Sequence, residues 1–241
     1  MGSYFADCAA EPFTARLALY LRWSAAVTLL FLVTYGSTNW LAARSTMHLR
    51  LYFDWELAIP FVPWMIWVYL SLQVFLALPL FVLDTAGISR LGRTFGLATL
   101  AAGAMHLALP TDLGWRRPLG VPGYPIFDRL FSMDRPHNLA PSLHVAYSTL
   151  TLLVIWSAAR GRWLKALSAV WAGLLVCSVS LIHQHHLADI ASGIALAALC
   201  YRWFRPAASK NLSAAKKDGI STAAISASGF CPAHYAAERR P

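Results

Sequence analysis

Four residues stand out by type and spacing. Ser142 and His144 lie in Pro141-Ser142-Leu143-His144. His185 and Asp189 lie in His183-Gln184-His185-His186-Leu187-Ala188-Asp189. Proline suits the first turn of a helix and serine caps one, so Pro141-Ser142 reads as a helix start. The free backbone N–H groups and the helix dipole at such a start attract an anion. His144 follows at once and can meet whatever anion binds there. In the second segment His185 and Asp189 are four apart and share a helical face. A carboxylate so placed accepts the proton on one imidazole nitrogen and fixes the tautomer, leaving the other nitrogen free as a nucleophile. Each segment alone also has a plainer reading. The first is an ordinary capped helix, and the second is an interfacial histidine cluster or a metal site completed by Asp189. What favours the chemical reading is that both fall on one membrane face.

That face follows from the elements around them. The chain has 241 residues, 58% hydrophobic and 13% charged, against roughly half apolar and a quarter charged in soluble domains. The apolar residues gather in runs of roughly 18 to 25, the length of a bilayer-crossing helix. The expected spans are 17–36, 59–83, 94–109, 142–159, 166–182 and 187–204. A short turn is expected at 84–93, with Gly87, Arg90 and Gly92. The fold class is therefore all-α, a polytopic membrane protein with about six transmembrane helices. Residues 1–16 form a cytoplasmic N-terminus, 17–205 the membrane domain, and 206–241 a cytoplasmic tail too polar to build a core. The first apolar run contains Arg22 and has no small-residue cleavage site behind it, so it reads as a retained span.

Basic residues favour the cytoplasmic side. Arg16, Arg22, Arg90, Arg93, Arg160, Arg162, Lys165 and Arg202 fall on one side of the expected spans. Arg44, Arg50, Arg116, Arg117, Arg129 and Arg135 fall on the other. Both termini are then cytoplasmic, and the polar segment 110–140 and the histidine segment share the exterior or lumenal face. This distribution accounts for the net charge of +9. No basic helix or aromatic platform on a soluble domain points to nucleic acid. Cys8, Cys177, Cys200 and Cys231 form no Cys-x-x-Cys pair, so they suggest neither a zinc site nor a disulfide framework.

Other residues carry weaker signals. Asp54 and Glu56 share the external face and either hold a headgroup or an acceptor hydroxyl, or cap a helix or pair with Arg50. Asp134-Arg135-Pro136-His137-Asn138 precedes the serine–histidine segment and reads as a structural clasp over the site before a catalytic one. His106 reads as a hydrogen-bonding residue inside the bundle. Trp40, Trp55, Trp64 and Trp67 fit an interfacial belt.

The paired motifs Pro141-Ser142-Leu143-His144-Val145-Ala146 and His185-His186-Leu187-Ala188-Asp189, followed by Gly193, resemble the type 2 phosphatidic acid phosphatase superfamily. That superfamily shares its core with vanadium haloperoxidases. The variant looks most like the inositol phosphorylceramide synthase and sphingomyelin synthase branch and its bacterial relatives. The resemblance runs from about 110 to 193 and implies a phosphatidic acid phosphatase-like helical bundle. It implies that His185 attacks phosphorus to form a phosphohistidine, that Asp189 orients His185, and that His144 protonates the leaving oxygen. Arg117-Pro118 matches the end of the family's first motif, so Arg117 is implied to bind phosphate oxygens. Ser142, at the helix start, joins it as a candidate phosphate ligand.

The sequence also departs from the phosphatase pattern. A lysine seven residues before the arginine is Pro110 here, and an arginine six residues before the nucleophilic histidine is Val179. The transferase branch lacks that arginine too. Arg116 and Arg135 are either substitutes or ordinary loop arginines near lipid headgroups. The expected activity is that of a lipid phosphatase or phosphotransferase acting on a membrane lipid. The alternatives are a headgroup transferase using a lipid hydroxyl acceptor, and a non-enzymatic transporter or scaffold on an old fold. The two histidines and the arginine supply acid, base, nucleophile and charge, so no metal or organic cofactor is expected.

Overall fold

The computed structural model describes residues 11–134 and 136–204. The expected tail, 206–241, and Arg135 lie outside the described residues. Eight α-helices follow in order: α1 (Phe13–Ala42), α2 (Met65–Leu70), α3 (Leu72–Ala77), α4 (Thr85–Ala108), α5 (Ile126–Met133), α6 (Leu143–Ala158), α7 (Arg162–Leu181) and α8 (Leu187–Phe204). Among the described residues the extended backbone amounts to one isolated parallel bridge, Leu49 with Thr111.

Helix α6 is the central post. Its Val145, Ala146, Leu150, Val154 and Ile155 are fully buried, and α3, α4, α7 and α8 all pack on it. The outer helices carry apolar side chains on their exposed faces. On α7 these are Trp163, Leu167, Val170 and Leu174, spaced as one helical stripe. An exposed stripe of this kind is a surface for lipid rather than water. Three helices, α1, α7 and α8, are long and apolar enough to cross a membrane; α6 and the run Met65–Phe81 are apolar but shorter.

Two expectations about the spans are corrected. The run 59–83 is not one helix. It breaks into α2, α3 and the 3-10 turn Leu78–Phe81. Pro79 at the start of that turn lacks an N–H and clashes with the preceding turn. At the α2–α3 junction the Ser71 hydroxyl donates back to the Val68 carbonyl (2.6 Å) and accepts from the Trp171 indole (2.8 Å).

The stretch 84–93 is not a turn. Asp84 caps α4 by accepting from Gly87 N–H (2.6 Å), and Glu11 accepts from Thr85 N–H and hydroxyl (2.9 Å each). Gly92 and Gly103 then serve packing. A Cβ at either position would overlap Trp23 or Thr34 of α1, and such close backbone approach is how membrane helices associate.

The polar segment 110–140 is ordered. It contains α5, which an apolar-run reading overlooks because only Phe127 of its eight residues is fully buried.

Candidate active site

The link between α7 and α8 is built as one tight turn. Gln184 and His185 N–H both donate to the Val179 carbonyl (2.8 and 3.1 Å). The Ser180 hydroxyl donates to the His185 carbonyl (2.8 Å). His183 takes a left-handed backbone (φ 55°) to make the bend, a conformation uncommon outside glycine.

This turn sorts the three histidines. His183 donates from Nε2 to the Ile59 carbonyl (2.9 Å) and stacks on Trp115 (4.5 Å between ring centres). His186 is sandwiched between Trp115 (3.8 Å) and Tyr52 (4.5 Å). Its Nδ1 faces the Glu56 carboxylate (3.2 Å) and its Nε2 donates to the Leu113 carbonyl. Both rings are held by structural partners. His185 alone of the three lines the cavity described below.

Glu56 is fully buried. Besides facing His186 it accepts from Leu187 N–H (2.9 Å) and Phe53 N–H (3.0 Å). It therefore caps the start of α8 from the distant 3-10 turn Asp54–Ala58. Asp54, in contrast, is exposed and pairs with Arg50. Of the readings open for these two acids, capping and pairing describe the geometry.

Burial pushes the Glu56 carboxyl up. The N–H groups of Leu187 and Phe53, together with His186, outweigh it and hold the group below its ordinary value. A lowered folded value contributes stability above the unfolded carboxylate pKa, about 4.3. That stability is lost as pH falls through the folded value. His183, lowered by burial, and His137, lowered by burial and by nearby His48, begin the same loss earlier, as pH falls below about 6.5. Glu56→Ala leaves His186 Nδ1 and the Leu187 N–H at the start of α8 unpaired. The expected cost is about 3 kcal/mol, read from thermal unfolding at pH 7.5. The difference from wild type should shrink as pH is taken below 4.5.

Helix α6 starts against α8. The Ala140–Pro141 peptide is cis. The Pro141 carbonyl accepts from His106 Nε2 (3.1 Å), which is the buried hydrogen-bonding role expected of His106. Ser142 N–H donates to the Asp189 carbonyl (3.1 Å), and the Ser142 hydroxyl caps the helix by accepting from Val145 N–H (3.3 Å). A Cβ at Gly193 would sit 2.6 Å from the Ser142 carbonyl oxygen. The two motif segments thus touch through backbone, and only glycine allows α8 this close. Ser142 is fully buried and committed to capping.

His144 and His185 line one cavity of about 600 Å³. His144 lies flat on Tyr69 (4.0 Å between ring centres). Asp189 is buried, accepts from His186 N–H through Oδ2 (2.8 Å), and holds that oxygen 3.6 Å from His185 Nδ1. The spacing is slightly beyond a hydrogen bond.

Arg117 donates to the Asp134 carbonyl and carboxylate (3.0 Å to Oδ2) and to Gln184 Oε1 (3.4 Å). The Tyr35 hydroxyl donates to the other Asp134 oxygen. Asn138 donates to the Thr38 hydroxyl (2.7 Å), so Asp134 and Asn138 both tie to α1. Arg116 is exposed and lies away from the cavity lining.

The cavity has a polar end and an apolar end. Tyr35, His106, Asp134, Asn138 and Gln184 join the two histidines at the first. Tyr20, Trp23, Val27 and Phe31 of α1 continue it. One face of α1 lines the cavity from Tyr20 to Asn39, roughly 28 Å at 1.5 Å per residue. Sequence reasoning missed Tyr35, Tyr69 and Gln184. Gln184 stood inside a motif, but the two tyrosines lie in apolar runs and carry no local signal.

No curated protein and no solved structure matches the chain. Residues 131–203, which run from the end of α5 through α8 and hold both histidine motifs, match the model of the PAP2 superfamily, whose members are typically phosphoesterases and phosphotransferases.

Proposed function

We propose that the protein is a membrane-embedded lipid phosphatase or phosphotransferase that works through a phosphohistidine on His185. His185 Nε2 attacks phosphorus while Asp189 steadies the Nδ1 proton. The bond from phosphorus to the lipid oxygen breaks, and His144 gives that oxygen its proton. His144 then takes a proton from water or an alcohol, which attacks the phosphohistidine and frees His185. Arg117 stabilises the charge on the phosphorus oxygens. The reaction belongs on the extracytoplasmic face, by the distribution of basic residues.

One observation carries this reading: His144 and His185 line one cavity, on segments joined by the Ser142–Asp189 hydrogen bond. The test is incubation of purified protein with a lipid carrying a labelled phosphate, followed by acid and base quenching. A base-stable, acid-labile label on the protein that is absent in His185→Ala supports the intermediate. Turnover without it overturns the mechanism.

A second reading, transfer to a lipid hydroxyl, is favoured by the cavity's size and apolar lining, which exceed what a phosphate group needs. Label appearing in a second lipid only when a lipid alcohol is added supports transfer. Free phosphate regardless of added alcohol supports hydrolysis.

A further inference from the structure

We propose that Asp134 sets the charge of the phosphate ester that this site accepts, admitting a monoanionic phosphodiester and opposing a dianionic phosphomonoester. This rests on the phosphoester chemistry proposed above. Among the described residues no lysine or arginine lines the cavity itself. Arg117 is the cation at its edge, and Asp134 already neutralises it through side chain and carbonyl. The pair is largely buried, 9% and 18% exposed, so water screens it little. Tyr35 holds the second Asp134 oxygen, which anchors the carboxylate in the wall of the cavity that the two histidines also line.

No cation enters from the positions where the phosphatase pattern has them. Residue 110 is proline. Residue 179 is a fully buried valine whose carbonyl is taken by Gln184 and His185. Among the described residues, a bound phosphate therefore meets, besides His144, His185 and Asp189, one guanidinium and one fixed carboxylate. Each negative charge on the ester adds its own repulsion from Asp134, and a monoester carries about one more than a diester at neutral pH. The same carboxylate that orders Arg117 makes the second charge unfavourable.

The experiment compares phosphatidic acid with a phosphodiester lipid of identical acyl chains and neutral headgroup, such as phosphatidylglycerol. In both, attack by His185 breaks the bond from phosphorus to the diacylglycerol oxygen, leaves the phosphoryl or phosphoglycerol group on His185 and releases the same diacylglycerol, so one product reports kcat/KM for each. Wild type is expected to favour the diester. Asp134→Asn removes the charge and keeps the shape, and should shift the diester-to-monoester ratio toward the monoester by about tenfold or more. Tyr35→Phe releases one Asp134 oxygen but keeps the charge, and should shift the ratio far less than Asp134→Asn does.

If Asp134→Asn does not fold, wild type alone decides. As pH falls through the second ionisation of the monoester, about 6, its kcat/KM relative to the diester must rise. Ionisations of the free enzyme are common to both substrates and cancel in that ratio. A ratio unmoved by Asp134→Asn, or by pH in wild type, overturns the charge filter alone. Wild type that turns over neither lipid overturns the catalytic reading and the filter with it.

Discussion

His185→Ala is expected to reduce lipid turnover to background and to abolish the covalent phosphoenzyme. The imidazole is the group from which phosphorus–nitrogen chemistry starts, and no neighbour substitutes for it. His183 is tied to Ile59 and Trp115, and His186 is held by Glu56, Leu113 and two aromatic rings. Neither lines the cavity. His186→Ala provides the contrast, since it strips Glu56 of one of its three partners and should lower stability before it changes the chemistry. Measurement of steady-state turnover and acid-labile label for both variants, in protein of matched thermal stability, separates the roles. Turnover that survives in His185→Ala rules out that residue as nucleophile.

His144→Ala is expected to slow the reaction by roughly 10²–10⁴-fold, the usual worth of a positioned general acid–base group. The effect depends on the leaving group. A lipid alkoxide is a poor leaving group and needs the proton. A nitrophenolate leaves without one. The loss should therefore be large with a lipid ester and small in the first step with an aryl phosphate of the same charge. Its second step still needs His144 to activate water or an alcohol, so the variant should release a burst of nitrophenol and then stall as phosphohistidine. Rapid-quench kinetics read both phases. An equal loss for both leaving groups, with no burst, removes His144 from the acid role. The ring's position supports the assignment: it is stacked on Tyr69 at the first turn of α6 and lines the same cavity as His185.

The two effects depend on one scaffold. Asp189 faces His185 from within α8, and its carbonyl holds Ser142 at the start of α6. Gly193 permits that contact. Glu56 then fixes the first residues of α8 from a segment more than a hundred residues earlier. The proposed nucleophile in the α7–α8 turn and the proposed acid in the first turn of α6 thus sit on segments joined by backbone, which leaves little freedom to drift apart. Such supported geometry is what keeps catalytic groups within reach of one another.

The amino-acid sequence by itself determined the all-α class, the apolar character, and the local chemistry of two short segments. Those features need only helical spacing and composition: Asp189 one turn after His185, Ser142 ahead of His144, and apolar runs as long as a bilayer is thick. Span ends read less well. Gly87 and Gly92 look like turn residues in a row of letters, yet α4 runs through them because Gly92 makes room for Trp23.

Only the tertiary structure decided the rest. Glu56 became a cap, Tyr35 reached Asp134 across 99 positions of sequence, and Arg117 found its carboxylate rather than an empty pocket. Of three neighbouring histidines, only one was left facing the cavity. Each of these depends on side chains that meet through packing of separate helices. No periodicity or spacing along the chain records such a meeting, and that packing decides which of two adjacent histidines, His185 or His186, can reach a substrate.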